Sequence, residues 1–142
     1  MSNVMDKSEI KALFDELYEG TLMLVEGDKP YGVVVWYCFD GNDIWVGLLP
    51  KGRKFECMKI NPNAAFSVFK SSNRGWCSVL VEGRIEQVKD KEGIKTGMKL
   101  SSQKYNMPYE VSDSQVERFA KAPEKSMVFR LRGTSISGRK SY

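Results

Sequence analysis

Apolar positions recur along this chain in two periods, and the changes of period divide it into elements. Between residues 6 and 19, Ile10, Leu13, Phe14, Leu17 and Tyr18 fall at i, i+3, i+4, i+7 and i+8, the stripe of an amphipathic helix. Asp6 and Glu9 have capping-box spacing at its start, and Gly20 is a stop signal. The period then shortens. β-Branched and aromatic residues dominate residues 21–26, 31–39 and 44–49, which read as three strands. Gly27-Asp28-Lys29-Pro30 and Asp40-Gly41-Asn42-Asp43 are the turns between them. Residues 51–60 return to helical spacing through Phe55 and Met58, and Asn61-Pro62 ends them, because proline disfavours helix at the residue before it. Residues 64–70 read as a fourth strand.

Residues 76–89 alternate most clearly. Cys77, Val79, Val81, Gly83 and Ile85 share a core face. Trp76, Ser78, Leu80, Glu82, Arg84 and Glu86 share the other, which begins apolar and ends charged; this predicts a strand that starts under another element and runs out into solvent. Gly83 marks a bulge or a sharp bend. Residues 90–105 have helical spacing through Ile94, Met98 and Tyr105, although Gly93 and Gly97 weaken it. Ser112-Asp113-Ser114-Gln115 resembles a capping box before a short helix with Val116 and Phe119 that stops at Pro123. Met127, Phe129 and Leu131 alternate in a last strand, and the polar residues 133–142 read as a loosely ordered tail. The sum is a mainly β chain with peripheral helices: six strands in up-and-down order, a small antiparallel barrel whose closure removes sheet edges.

The chain has 142 residues, the size of one domain with a single core. No segment approaches the roughly 20 apolar residues that span a bilayer. The first ten residues lack the basic-then-apolar layout of a signal peptide, which makes the cytoplasm the expected location. Cys38, Cys57 and Cys77 form no CxxC pair and read as reduced core thiols. The chain has no histidine, which removes Ser-His-Asp and Cys-His nucleophile arrangements and the commonest zinc ligand. No metal-binding pattern of acidic residues is present, and the glycines form neither GxGxxG nor a P-loop. An enzyme built this way borrows its reactivity from a bound cofactor. The net charge of +4 suits a small anionic ligand better than nucleic acid.

Three groups of residues could carry chemistry. Lys51-Gly52-Arg53-Lys54 stands where a strand ends and a helix begins, so cations, a glycine and free helix amides converge on what could be a phosphate site. A short basic run is more often a solvated turn. Trp36, Trp45 and Trp76 could wall a flat ring, with Ser78 as a donor, although core or interface packing is the commoner fate of each. Cys57 follows the basic turn, where a positive field lowers a thiol pKa, but its helix position favours a buried thiol.

The order of these pieces resembles the pyridoxamine 5′-phosphate oxidase-like family of FMN-binding split barrels. Lys29-Pro30-Tyr31-Gly32-Val33-Val34-Val35 is similar to its second strand. Residues 44–49, then Gly52-Arg53-Lys54 and Asn61-Pro62, resemble its strand, phosphate turn and short helix. Residues 64–69 and 76–86 resemble the two strands that follow, the second an apolar run, then Gly83, then charge; Lys104-Tyr105 and the last strand fit more loosely. The resemblance covers most of residues 8–133. It implies a homodimer with FMN at the interface. It implies phosphate contacts from Arg53 and Lys54, beside Lys51, and a ring lined near Val33, Val34, Val35, Gly47, Leu48 and Leu49, with Ser67 and Ser78 as lesser candidates. The nitroimidazole-reductase-like branch carries a histidine where this chain has Gly47, and a common proline is replaced by Val34. The pyridoxal-phosphate substrate residues of the true oxidases are not recognisable in residues 133–142. Fold and cofactor therefore carry over better than substrate, and FMN and a deazaflavin both stay open.

The expected function is an FMN-dependent oxidoreductase passing electrons from a nicotinamide donor to a small acceptor, with no side chain marked as general acid or base. Two alternatives stand beside it. One is a flavin carrier or sensor without turnover, suggested by Gly47. The other is a small barrel that binds single-stranded nucleic acid through Lys51, Arg53, Lys54 and the tryptophans.

Overall fold

The two periods build the elements of a computed structural model that describes residues 1–106 and 113–142. The strands are β1 (Asn3–Val4), β2 (Glu19–Glu26), β3 (Lys29–Trp36), β4 (Cys38–Phe39), β5 (Ile44–Gly47), β6 (Asn63–Ser72), β7 (Gly75–Gln87) and β8 (Val128–Lys140). The helices are α1 (Lys7–Glu16), α2 (Arg53–Ile60), α3 (Lys91–Tyr105) and α4 (Asp113–Lys121). One antiparallel sheet runs in the order β3-β2-β6-β7-β8-β5-β4, with β1 paired to β8. The six expected strands are present: β3 and β4 are one of them, interrupted only by Tyr37, and the two-residue β1 is an addition.

The curled sheet is a split barrel, and it closes through the chain rather than through a hydrogen-bonded ladder. β3 and β4 stand at opposite ends of the strand order, and Tyr37 links them. Edges therefore remain where full closure was expected. β3 pairs with β2 alone, which is where a sheet tolerates Pro30. Tyr37 is buried at the join, and its hydroxyl donates to the Phe14 and Leu17 carbonyl oxygens at 2.7 and 2.8 Å.

Two apolar layers follow from the pleat. Ile44, Val46, Phe129 and Leu131 face the barrel interior with Phe14, Leu22, Phe66 and Val81. Their alternates Trp45 and Val128 point the other way, into a second cluster with Cys38, Ile94, Val116 and Phe119 under α3 and α4. Covering both faces of β5 explains its continuous apolar run. All three cysteines are free and buried.

Several expectations need correction. Residues 133–140 are not a loose tail. They pair with β7 as far as Cys77–Lys140, and Gly138 packs where a Cβ would meet Met5 and Ile10, so the strand is buried on one side despite its polar composition. The register shifts at Glu82/Gly83, the bulge read from Gly83; a Cβ there would lie 1.9 Å from the Arg132 carbonyl oxygen. Gly20 lies inside β2 rather than ending a helix, because a Cβ would come 2.2 Å from the Phe66 ring. α1 stops at Glu16, and Tyr18 stands exposed beyond it. The Asp6–Glu9 capping box forms. Ser112 of the second expected box lies outside the described residues. Trp76 does not start under another element; it stays partly exposed and stacks on Phe69 at 6.5 Å between ring centroids.

Candidate functional site

β5 ends at Gly47, and Leu48, Leu49, Pro50, Lys51 and Gly52 carry the chain into α2. Gly52 is the N-cap of α2 with φ +89°, a conformation glycine adopts without strain, and no side chain caps the helix. The first-turn amides are thus left without side-chain acceptors. Beside them lies an open cleft of about 450 Å³ lined by Val35, Trp36, Gly47, Leu48, Leu49, Lys51 and Lys54. Six of the eleven residues picked from the sequence meet here. Two lysines and the uncapped N-terminus of an eight-residue helix form the positively charged, anion-binding end, and the C-terminal ends of β3 and β5 with Leu48 and Leu49 form the apolar end. This donor set fits a phosphate joined to a flat ring.

The other five expected residues stand elsewhere. Arg53 turns away from the cleft. Its Nε and Nη2 donate to Glu26 Oε2 and Oε1, both at 2.9 Å, and its guanidinium lies 3.9 Å above the Tyr31 ring. The hydrogen bonds from Arg53 hold the Glu26 carboxyl below its ordinary range. Val33 packs against the barrel core, and Val34 points out from the sheet, 66% exposed. Ser67 and Ser78 line neither cavity. Ser67 belongs to a cross-strand row, Val34–Thr21–Ser67–Leu80, on the outer face of the barrel.

A second cavity, of about 220 Å³, opens beside the first between α3, α4 and the outer face of β4 and β5. Trp36 and Gly47 line both. Gly47 has room for a side chain, since the nearest atom to a Cβ would be the Met127 carbonyl oxygen at 3.9 Å, so its bareness leaves space where the two cavities adjoin. Trp36 stacks on Tyr105 at 4.5 Å and 8°. The Tyr105 hydroxyl is fully used: it accepts from the Tyr37 amide at 2.7 Å and bonds the Tyr37 and Tyr18 carbonyl oxygens at 2.6 and 2.8 Å. Burial pushes its pKa up. Burial likewise pushes the Cys38 thiol up to about 11, against the pull of Lys104, so it is neutral and inert near pH 7. Cys57 also shifts upward, through burial and the Glu26 charge, as expected of a buried thiol rather than an activated one.

The sequence reading missed this second cavity. Met98, Ser101, Ser102 and Tyr105 share one face of α3 at i, i+3, i+4 and i+7. The two serines in an otherwise apolar stripe are the signal that it faces a cavity rather than solid core. Phe119 and Met127 complete it from elements too far away in sequence for local pattern to connect.

Among the described residues no group of three or more His, Cys, Asp or Glu side chains could hold a metal ion, and no helix is long and apolar enough to cross a membrane. The fold has solved relatives. A FAD-binding protein from Mesorhizobium loti matches with a TM-score of 0.71 and 24% identity over 99% of this chain and 96% of that one. A structure described as an F420 reductase matches with a TM-score of 0.63 and 25% identity over 89% and 94%. An uncharacterised protein of Rhizobium meliloti (strain 1021) is 30% identical over 91 residues, 63% of this chain and 60% of that protein. The pyridoxamine 5′-phosphate oxidase family pattern matches residues 6–140, nearly the whole barrel with its helices, and the chain belongs to that family.

Proposed function

We propose that this protein is an FMN-dependent oxidoreductase that works as a homodimer. The observation that carries this reading is the cleft in which Lys51, Lys54 and the uncapped N-terminus of α2 stand at one end and Val35, Trp36 and Leu48 at the other. Lys51 and Lys54 bind the phosphate, and the α2 amides and helix dipole add to its hold. The ends of β3 and β5 would orient the ring and exclude water from one side of it. Bound flavin would supply the electron transfer between a nicotinamide donor and a small acceptor. A fold relative binds FAD and a second is an F420 reductase, so a longer flavin or a deazaflavin is the variant of the same reading.

The cleft is open on its outer side, and a second copy of the chain is its natural cover. Val34, Trp36, Leu49 and Phe69 are all more than half exposed, and Val34 and Phe69 belong to the outer face of the sheet. Exposed apolar side chains gathered on one face, here with Thr21 and Ser67 between them, favour an interface. A non-catalytic flavin carrier is the second reading, favoured by the inert Cys38 thiol and the fully bonded Tyr105 hydroxyl. Steady-state oxidation of NADH or NADPH by the flavin-loaded protein excludes it. The nucleic-acid alternative is the less favoured, since Trp45 is buried and Arg53 is paired with Glu26.

Titration with FMN and with riboflavin tests the phosphate assignment. Wild-type protein is expected to prefer FMN. Lys54→Ala should weaken FMN by roughly 1.5–3 kcal/mol, the range for a charge-assisted hydrogen bond, and leave riboflavin unchanged. Equal loss for both ligands would place the phosphate elsewhere.

A further inference from the structure

We infer that the cavity under α3 and α4 is a second binding site, and that its ligand is an uncharged planar aromatic molecule of one or two rings. Four observations select that class. None of the described residues lining the cavity carries a formal charge, so a charged ligand would leave water without a counter-ion from them. Its walls are flat: the parallel Trp36–Tyr105 pair stands at the mouth, and Trp45 and Phe119 lie within. Its volume of about 220 Å³ compares with roughly 150 Å³ for an apolar protein cavity that takes up benzene. The polar groups are few and uncharged: Ser101 and Ser102 of α3 make no side-chain hydrogen bond among the described residues, Gln115 lines the cavity from α4, and the Tyr105 hydroxyl is already committed to the Tyr37 and Tyr18 backbone. One or two uncharged polar ring substituents are what this lining can satisfy.

The backbone keeps the cavity in shape. Gly97 lets α3 approach Trp45 so closely that a Cβ would lie 3.0 Å from its ring, and the indole nitrogen donates to Asp40 at 2.8 Å, which fixes the floor. At Gly47 and Trp36 the cavity adjoins the basic cleft. The occupancy of the cavity stands on its own lining; only the role of the bound molecule as a reaction partner rests on the flavin reading.

The test uses the full-length chain labelled with [methyl-13C]methionine. Met98 and Met127 line the cavity, whereas Met5 and Met58 are buried in the barrel core and serve as internal controls. Titration with 2-naphthol should shift the Met98 and Met127 signals in a saturable way and leave Met5 and Met58 in place. 2-Naphthoate, the same ring system with a charge, should bind at least about tenfold more weakly. Ser101→Phe or, if that variant does not fold, Ser102→Phe should fill the cavity and abolish the shifts. Unmoved Met98 and Met127 signals at the solubility limit of 2-naphthol would overturn the inference, as would equal affinity for 2-naphthoate or unchanged shifts in a folded filling variant. FMN is titrated into the same samples, so that loss of the flavin reading leaves the 2-naphthol result standing and the reverse.

Discussion

Arg53 shows how a residue's role depends on which neighbour it finds. The turn sequence offers three cations to one phosphate, but Glu26 stands at the end of the adjacent strand and takes the guanidinium through both oxygens. This is an exposed pair, so its own contribution to stability is small. Its consequence lies in binding, because a phosphate must compete with Glu26 for Arg53. Glu26→Gln should therefore tighten FMN by a few-fold in the same titration, while Glu26→Asp should not. Cys38 carries a second residue-scale consequence. Its thiol ionises near 9.0 ordinarily and at about 11 in the fold. A raised folded pKa means stability that is complete below about 9 and is lost as pH rises towards about 11. Denaturant unfolding of Cys38→Ala across that window should show a shallower alkaline decline than wild type. Tyr37 and Tyr105, shifted the same way by burial, account for the slope that stays.

At the scale of elements, the strands were legible because alternation is local, and the helix contacts were not because close approach is not. The strand from Trp76 onward kept its predicted faces, with Cys77, Val79, Val81 and Ile85 all buried. Residues 133–140 escaped because serine, glycine and arginine look like a tail, and only the long pairing with β7 makes them a strand. Gly93 and Gly97 weakened the reading of α3 by propensity, whereas in the fold Gly97 is what lets the helix sit on Trp45 and Val128. Alanine ordinarily gains about 1 kcal/mol over glycine inside a helix. Here its Cβ would lie 2.4 Å from Val128 Cγ1, and overpacking costs about 1–3 kcal/mol. The clash should win: Gly97→Ala is expected to lose stability in thermal or urea unfolding, and a gain would show that α3 docks less closely than described.

For the whole molecule, sequence order brought the basic turn, the ends of two strands and Gly47 into one cleft, but only the three-dimensional arrangement separates Val35, which faces that cleft, from Val34, which faces outward. That outward face carries the prediction about assembly. Val34→Lys combined with Phe69→Lys should turn a dimer into a monomer in sedimentation experiments and weaken FMN binding with it, because the cleft loses its cover. A monomeric wild-type protein that still binds FMN tightly would contradict the dimer. The claim on which everything else rests is that the cleft beside Lys51 and Lys54 holds a flavin, and the visible absorption spectrum tests it most directly. The spectrum is recorded on the purified protein, then again after incubation with FMN and desalting. The account predicts that the flavin's near-UV and blue bands stay with the protein at about one flavin per chain and are lost in the Lys51→Ala/Lys54→Ala double variant. A folded wild-type protein that emerges colourless from both preparations would contradict it.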